Sequence, residues 1–194
     1  MSKLFQNLEV EAFKAGITPR TDQSRAWFRK RARDIRRVNR KQLMQSNEVI
    51  RGESSVIGNM YMFFYDPKHK DTLPYYDSFP LVFIVGDAKG GFTGLNLHYL
   101  PPLLRAKLLG SLIDLKSNNK YNASTKLRLS YDVLNSSSKH ALFKPCFKQY
   151  LSSHVRSQFS MVPAAEWEIA TFLPMAQWQK ASSTKVYRDS RKMV

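Results

Sequence analysis

Apolar residues recur with two different periods along the chain, and the change of period divides it into helical flanks and an extended centre. Over the first 15 residues, Leu4, Phe5, Leu8 and Val10 fall loosely at helical spacing and the pattern stops at Gly16 and Pro19, which predicts a short amphipathic docking helix. A second helix is expected to start at Thr21 or Ser24, either of which can cap its free backbone N–H groups, and to run to about Met44. Phe28, Ala32, Ile35, Val38 and Leu43 then share one side of it. Arg29, Lys30, Arg33, Arg36, Arg37, Arg40 and Lys41 gather opposite, in an arc of roughly 140°. Like charges at i,i+4 repel, and only Asp34 lies within the run, so the expectation is a partner that neutralises this face.

The centre reads differently. Residues 58–65, Gly-Asn-Met-Tyr-Met-Phe-Phe-Tyr, make a run too short for a core helix and suited to a strand buried on both faces; it ends at the turn Asp66-Pro67-Lys68-His69. Residues 79–85 predict a second strand, with Pro80 tolerable near its start, and residues 86–91 supply the reversal. Residues 92–99 predict a third strand, antiparallel to the second. Pro101-Pro102 then leads into a helix over 103–115 that covers the sheet. Beyond it, helices are expected over 124–134, over 139–151 with an interruption at Pro145, over 163–173 and over 177–190. The fold class is therefore α+β: a small antiparallel β-sheet or SH3-like partial barrel at the centre, flanked by a basic N-terminal helix and a mostly helical C-terminal region. The divisions expected are a helical basic arm (1–53), the sheet with its covering helix (54–116) and a basic, mainly helical region packed on the same core (117–194).

Charge sharpens this picture. The 194 residues carry a net charge of +16, which points to nucleic acid, an anionic surface or acidic protein as partner. Residues 1–57 carry +7, 58–116 only +1 and 117–194 +8, so a nearly neutral centre has two basic wings. With 43% apolar residues the chain has enough to bury for a folded domain. A single cysteine, Cys146, precludes an internal disulfide framework and suits a reducing compartment. The first residues lack the apolar core of a secretory signal, and no apolar run approaches the length of a membrane span, so neither export nor a membrane is expected.

Candidate chemistry is sparse. His69, His98, His140 and His154 show no i,i+4 pairing, and one cysteine makes no zinc cluster, so no metal is expected. Cys146 between Pro145 and Phe147 reads as buried structure; His140 and His154 are near it only in sequence. A Mg²⁺-dependent nuclease would need an upstream Asp beside an acid-x-Lys triplet. Asp87-Ala88-Lys89 with Asp66 or Asp77 fits that loosely, but the surrounding Gly86, Gly90 and Gly91 favour an ordinary hairpin turn. No phosphate loop, nucleophile elbow or dinucleotide fingerprint occurs. Tyr61, Phe63, Phe64, Tyr65, Tyr75, Tyr76, Phe79 and Phe83 offer either a base-stacking platform or a hydrophobic core, and their poor alternation favours core.

The segments Gly58-Asn59-Met60-Tyr61-Met62-Phe63-Phe64-Tyr65-Asp66-Pro67-Lys68, Leu73-Pro74-Tyr75-Tyr76-Asp77-Ser78-Phe79-Pro80-Leu81 and Gly91-Phe92-Thr93-Gly94-Leu95-Asn96-Leu97-His98-Tyr99-Leu100-Pro101-Pro102 resemble proteins of T4-like contractile-tailed bacteriophages, as does the terminal Val186-Tyr187-Arg188-Asp189-Ser190-Arg191-Lys192. The resemblance implies a viral setting and supplies no catalytic residues. Together with the charge pattern it leads to the expectation of a non-enzymatic virion structural or assembly protein, assembled in the host cytoplasm. Its expected place is the tail baseplate, where the seven cations at 29–41 dock on other phage structural proteins. The alternative is a DNA-binding phage accessory protein acting on genome ends or single strands, with the same cations on phosphate. Neither reading calls for a cofactor or a small-molecule substrate.

Overall fold

The structure, a computed structural model, describes residues 3–35, 37–46, 49–50, 57–117, 120–122, 126, 129–130, 132–134, 136 and 141–192. Helix α1 (Lys3–Lys14) buries Phe5, Leu8 and Ala12. It stops where Gly16 adopts φ +67° and the N–H groups of Ile17 and Gly16 donate to the carbonyls of Ala12 and Phe13 at 3.0 Å each. Helix α2 (Asp22–Asp34) starts at a reciprocal cap, in which Ser24 N–H donates to Thr21 Oγ1 at 3.1 Å and Thr21 N–H donates to Ser24 Oγ at 3.0 Å.

The second helix does not reach Met44. It ends at Ile35, whose backbone is extended, and a separate helix α3 (Arg40–Ser46) follows. Asn39 makes that restart favourable, because its side chain accepts from Gln42 N–H at 3.1 Å. Asp34, an acid at the negative end of the α2 dipole, disfavours continuation. The break also turns both Val38 and Leu43 into the core.

Strands β1 (Val49–Ile50), β2 (Met60–Met62), β3 (Tyr76–Asp77), β4 (Leu81–Ala88), β5 (Gly91–Asn96), β6 (Phe147–Leu151), β7 (Phe159–Val162) and β8 (Trp178–Gln179) form two antiparallel sheets. The large one runs β1-β7-β2-β4-β5-β6, and β3 pairs with β8 in the small one. The expected hairpin is β4–β5, with Gly90 at φ +76° in its turn. Gly91 lies so close to β6 that a Cβ there would sit 1.8 Å from the Tyr150 carbonyl oxygen, so only glycine lets the two strands meet. The sheet stays open, and the central antiparallel sheet is not closed into a barrel.

Its two faces are filled separately. Met60, Met62, Leu81, Phe83 and Leu95 point into the main core beneath the helices, where Phe83 meets Trp167 edge-on with centroids 4.9 Å apart. Tyr61, Phe63, Tyr65, Val82, Ile84, Phe92 and Tyr150 make a second, largely aromatic cluster on the other face. Most of the aromatic run is thus core packing.

The C-terminal region departs furthest from expectation. The helix expected over 139–151 is, in its described part, a 3₁₀ segment (Ala141–Cys146) followed by the edge strand β6, and β7 falls where no strand was expected. Helix α4 (Pro102–Ser117) covers the main core as expected. Helices α5 (Trp167–Phe172) and α6 (Ser183–Lys192) occupy the C-terminal parts of the last two predicted segments. The helix expected over 124–134 falls partly outside the described residues.

Candidate nucleic-acid interface

The cations of helix α2 divide by partner. Arg25 and Arg31 are spent within the molecule: Arg25 lies 3.2 Å from Asp22 and 3.9 Å from Glu168, and Arg31 is paired with Glu11 and lies 3.6 Å from Asp34. Arg29, Lys30 and Arg33 point to solvent, and among the described residues no carboxylate pairs with them. The seven-cation face expected over 29–41 is therefore not one helical surface. Arg37 sits exposed in the connection after α2 and Lys41 is exposed on α3, while Arg36 lies outside the described residues. Arg40 is consumed by the fold. Its guanidinium donates to the carbonyls of Met175 at 2.7 Å and Ala176 at 2.8 Å, stapling α3 to the segment after α5.

Glu168 of α5 anchors the start of the α2 platform. It accepts from Ser24 Oγ at 2.7 Å and from Arg20 N–H at 3.1 Å, placing negative charge at the positive end of the α2 dipole. Beside the free row, Arg29 and Arg33 border a groove of about 280 Å³ with Pro101, Pro102, Leu103 and Phe172, in which Leu103 is 61% exposed.

One buried guanidinium connects this groove's wall to the second basic wing. Arg105 of α4 donates to the carbonyls of Leu100 (2.7 Å), Thr171 (3.2 Å) and His98 (3.4 Å) and to the Tyr187 hydroxyl at 2.8 Å. Thr171 is the chain neighbour of Phe172 in the groove; Tyr187 belongs to α6. On α6, Arg188, Arg191 and Lys192 are exposed and line a recess with Thr184 and Tyr187. Asp189 offsets part of that charge, 2.6 Å from Lys185 and 3.9 Å from Arg188.

Asp77 is a buried charge on the small sheet's first strand, β3. Its carboxylate accepts from Gln177 N–H (3.0 Å), Phe79 N–H (3.1 Å), Asn96 Nδ2 (3.4 Å) and His98 Nδ1 (2.6 Å). Burial alone would raise its pKa, but His98 and the two backbone donors outweigh that and hold it below the ordinary carboxylate range. Burial, aided by Arg105 and Arg40, lowers the pKa of His98 despite Asp77, so the ring is neutral with its proton on Nδ1. Its Nε2 is buried without a partner among the described residues.

These facts leave the nuclease constellation unassembled. Asp77 is spent on His98, Asp66 pairs with Lys70 and Arg156, and Asp87 is exposed at the end of β4. Among the described residues no group of three potential metal ligands converges. His154 Nδ1 is 2.8 Å from the Asp66 carbonyl oxygen, His69 is exposed on a turn, and His140 lies outside the described residues. Cys146 is buried, and burial pushes its thiol up to about 12, which keeps it protonated and inert at neutral pH.

Glu166, just before α5, has both carboxylate oxygens buried with no hydrogen-bond partner among the described residues. Burial, with a smaller contribution from Glu9, pushes its pKa up to about 7 from 4.5. Between those values the folded chain keeps a proton that the unfolded chain releases, so stability from this group is full at acid pH and is lost as pH rises to about 7. At roughly 1.4 kcal/mol per pKa unit, less partial screening by water, Glu166→Gln is expected to stabilise the protein by about 2 kcal/mol at pH 8 and to change little at pH 4. Thermal melts of the two proteins across that range check it.

Residues 5–192 match the family model described as phage T4 terminal DNA protecting protein. No curated protein and no solved structure matches the chain. The resemblance to T4-like phage proteins stands, but the expected tail-baseplate role does not. A family described by protection of terminal DNA favours the DNA-binding alternative and offers no support for docking on tail subunits. Because the match spans nearly the whole sequence, the chain belongs to the phage T4 terminal DNA protecting protein family.

Proposed function

We propose that this protein binds the ends of double-stranded DNA and protects them by occupancy, making and breaking no covalent bond. The observation that carries the reading is the row Arg29, Lys30 and Arg33, which no carboxylate pairs among the described residues, set on a helix whose other cations are neutralised internally. Three guanidinium or ammonium groups on a capped, anchored helix gain by displacing counterions from phosphate, and their mutual repulsion is relieved at the same time. Arg188, Arg191 and Lys192 on α6 extend the cationic surface; Arg105 ties α6, through Tyr187, to Thr171, the chain neighbour of Phe172 in the groove that Arg29 and Arg33 border, so this part of the surface is preformed before DNA arrives.

The test is an anisotropy titration at about 150 mM salt with a duplex of roughly 30 base pairs whose ends are either open or closed by hairpin loops. The expected result is binding of the open duplex at least about tenfold tighter than the closed one, with a Kd below the non-specific range of about 10⁻⁴–10⁻⁶ M. Equal affinity for both would show that ends are not what is recognised.

A further inference from the structure

Segment 67–76 and strand β6 border a recess of about 540 Å³, within the roughly 300–1,000 Å³ span of small-ligand sites. Its walls include Tyr75, Tyr76 and Tyr99, and its cations are Lys68 and Lys148. Lys148 Nζ sits 4.2 Å from the centre of the Tyr99 ring. Asp77 also lines it, but its carboxylate is already occupied by four donors, so the recess presents aromatic surface and positive charge.

The walls are preformed. Lys180 Nζ donates to the carbonyls of Lys70 (2.6 Å), Asp71 (2.9 Å) and Leu73 (3.3 Å), fixing the 67–76 segment from behind. Tyr75 meets Trp178 edge-on at 6.0 Å, and Tyr99 meets Trp178 likewise at 4.9 Å. Tyr75 and Tyr76 nonetheless remain partly open to solvent, and Lys68 is exposed at the rim.

We infer that this recess receives one unstacked base at the terminus of a DNA strand, with the tyrosines as its aromatic walls and Lys68 and Lys148 on the adjoining phosphate. The inference rests on the DNA-end reading and adds to it a preference for an unpaired terminal nucleotide. A concave site of single-nucleotide size takes a base only after that base leaves the stack, and a terminal base leaves most cheaply. Tyrosine walls with a neighbouring cation recognise any base by its π-face and phosphate by charge, which suits ends of arbitrary sequence.

The experiment compares the full-length protein's affinity for a blunt duplex with that for the same duplex carrying one unpaired nucleotide at each end. The wild type is expected to bind the extended duplex about tenfold tighter, from stacking net of the loss of mobility. Tyr76→Leu and Lys148→Met are expected to bring that ratio to about one, and Lys68→Ala, on an exposed turn where folding is not at risk, to lower it about threefold. A wild-type ratio near one with tight blunt-end binding overturns this inference alone; failure to bind either duplex overturns the DNA-end reading with it. Retention of the preference in all three variants, or displacement of DNA by micromolar deoxynucleoside monophosphate, also overturns it, the latter by reassigning the recess to a free nucleotide.

Discussion

Asp77→Ala is expected to destabilise the protein by roughly 3–5 kcal/mol, the range for removing one partner from a buried charge network. The substitution strips the acceptor from two backbone N–H groups, from Asn96 Nδ2 and from His98 Nδ1; the Gln177 bond is part-buried and the other three are buried. It also removes the negative charge that compensates buried Arg105 and half-buried Arg40. Since Gln177 precedes β8 and Arg105 holds Tyr187 on α6, the loss loosens the C-terminal elements from the sheet. For a chain of this size the melting temperature should fall by roughly 10 °C. Asp77→Asn keeps an acceptor oxygen and should cost about half as much. A urea melt in which Asp77→Ala lies within about 1 kcal/mol of wild type would show that the network is not the clamp described.

The second large effect concerns DNA. Arg29→Ala, Lys30→Ala and Arg33→Ala together should weaken binding about a hundredfold at 150 mM salt and reduce the slope of log affinity against log salt by about 3, one for each lost phosphate contact. Stability should barely change, because none of the three side chains is paired with a carboxylate among the described residues and all are exposed. Arg25→Ala and Arg31→Ala, the internally paired cations of the same helix, should leave the slope nearly intact. A slope that falls equally for both variant sets would place the contact elsewhere. Salt titrations of both variant sets by anisotropy read the difference directly.

Local chemistry made some of this architecture legible in the sequence. The β4–β5 hairpin is readable because Gly90 and Gly91 sit between two β-rich runs, and the start of α2 because Thr21 and Ser24 are spaced as reciprocal caps. The end of α2 also carries a sequence signal: Asn39 with Gln42 three residues later marks a new helix start, and it divides the cation run. Strand β7 was hidden because one of its two inward residues is polar, Ser160 beside Val162, so the alternation of period two does not show. Strand β6 exists through its pairing with β5, made possible by Gly91 far away in sequence.

The site was legible only in part, and for the same reason. An exposed cation such as Arg29 or Arg33 is visible in the sequence, but whether a cation is free or spent depends on distant partners: Glu11 for Arg31, the Met175 and Ala176 carbonyls for Arg40. Asp77 is readable from sequence only as a possible Mg²⁺ ligand because the groups that occupy it, His98 and Gln177, lie 21 and 100 residues on. Charge alone likewise fits acidic protein and phosphate equally well, which is why the baseplate expectation gave way to DNA once the family was in view.

Digestion of a linear duplex by a processive exonuclease, with the protein present at one equivalent per DNA end, tests the central claim most directly. The account predicts that wild type slows loss of full-length DNA at least about tenfold at 150 mM salt, and that the Arg29, Lys30 and Arg33 alanine variant, though folded, gives little protection. Unslowed digestion with wild type, or protection by the triple variant equal to wild type, would contradict it.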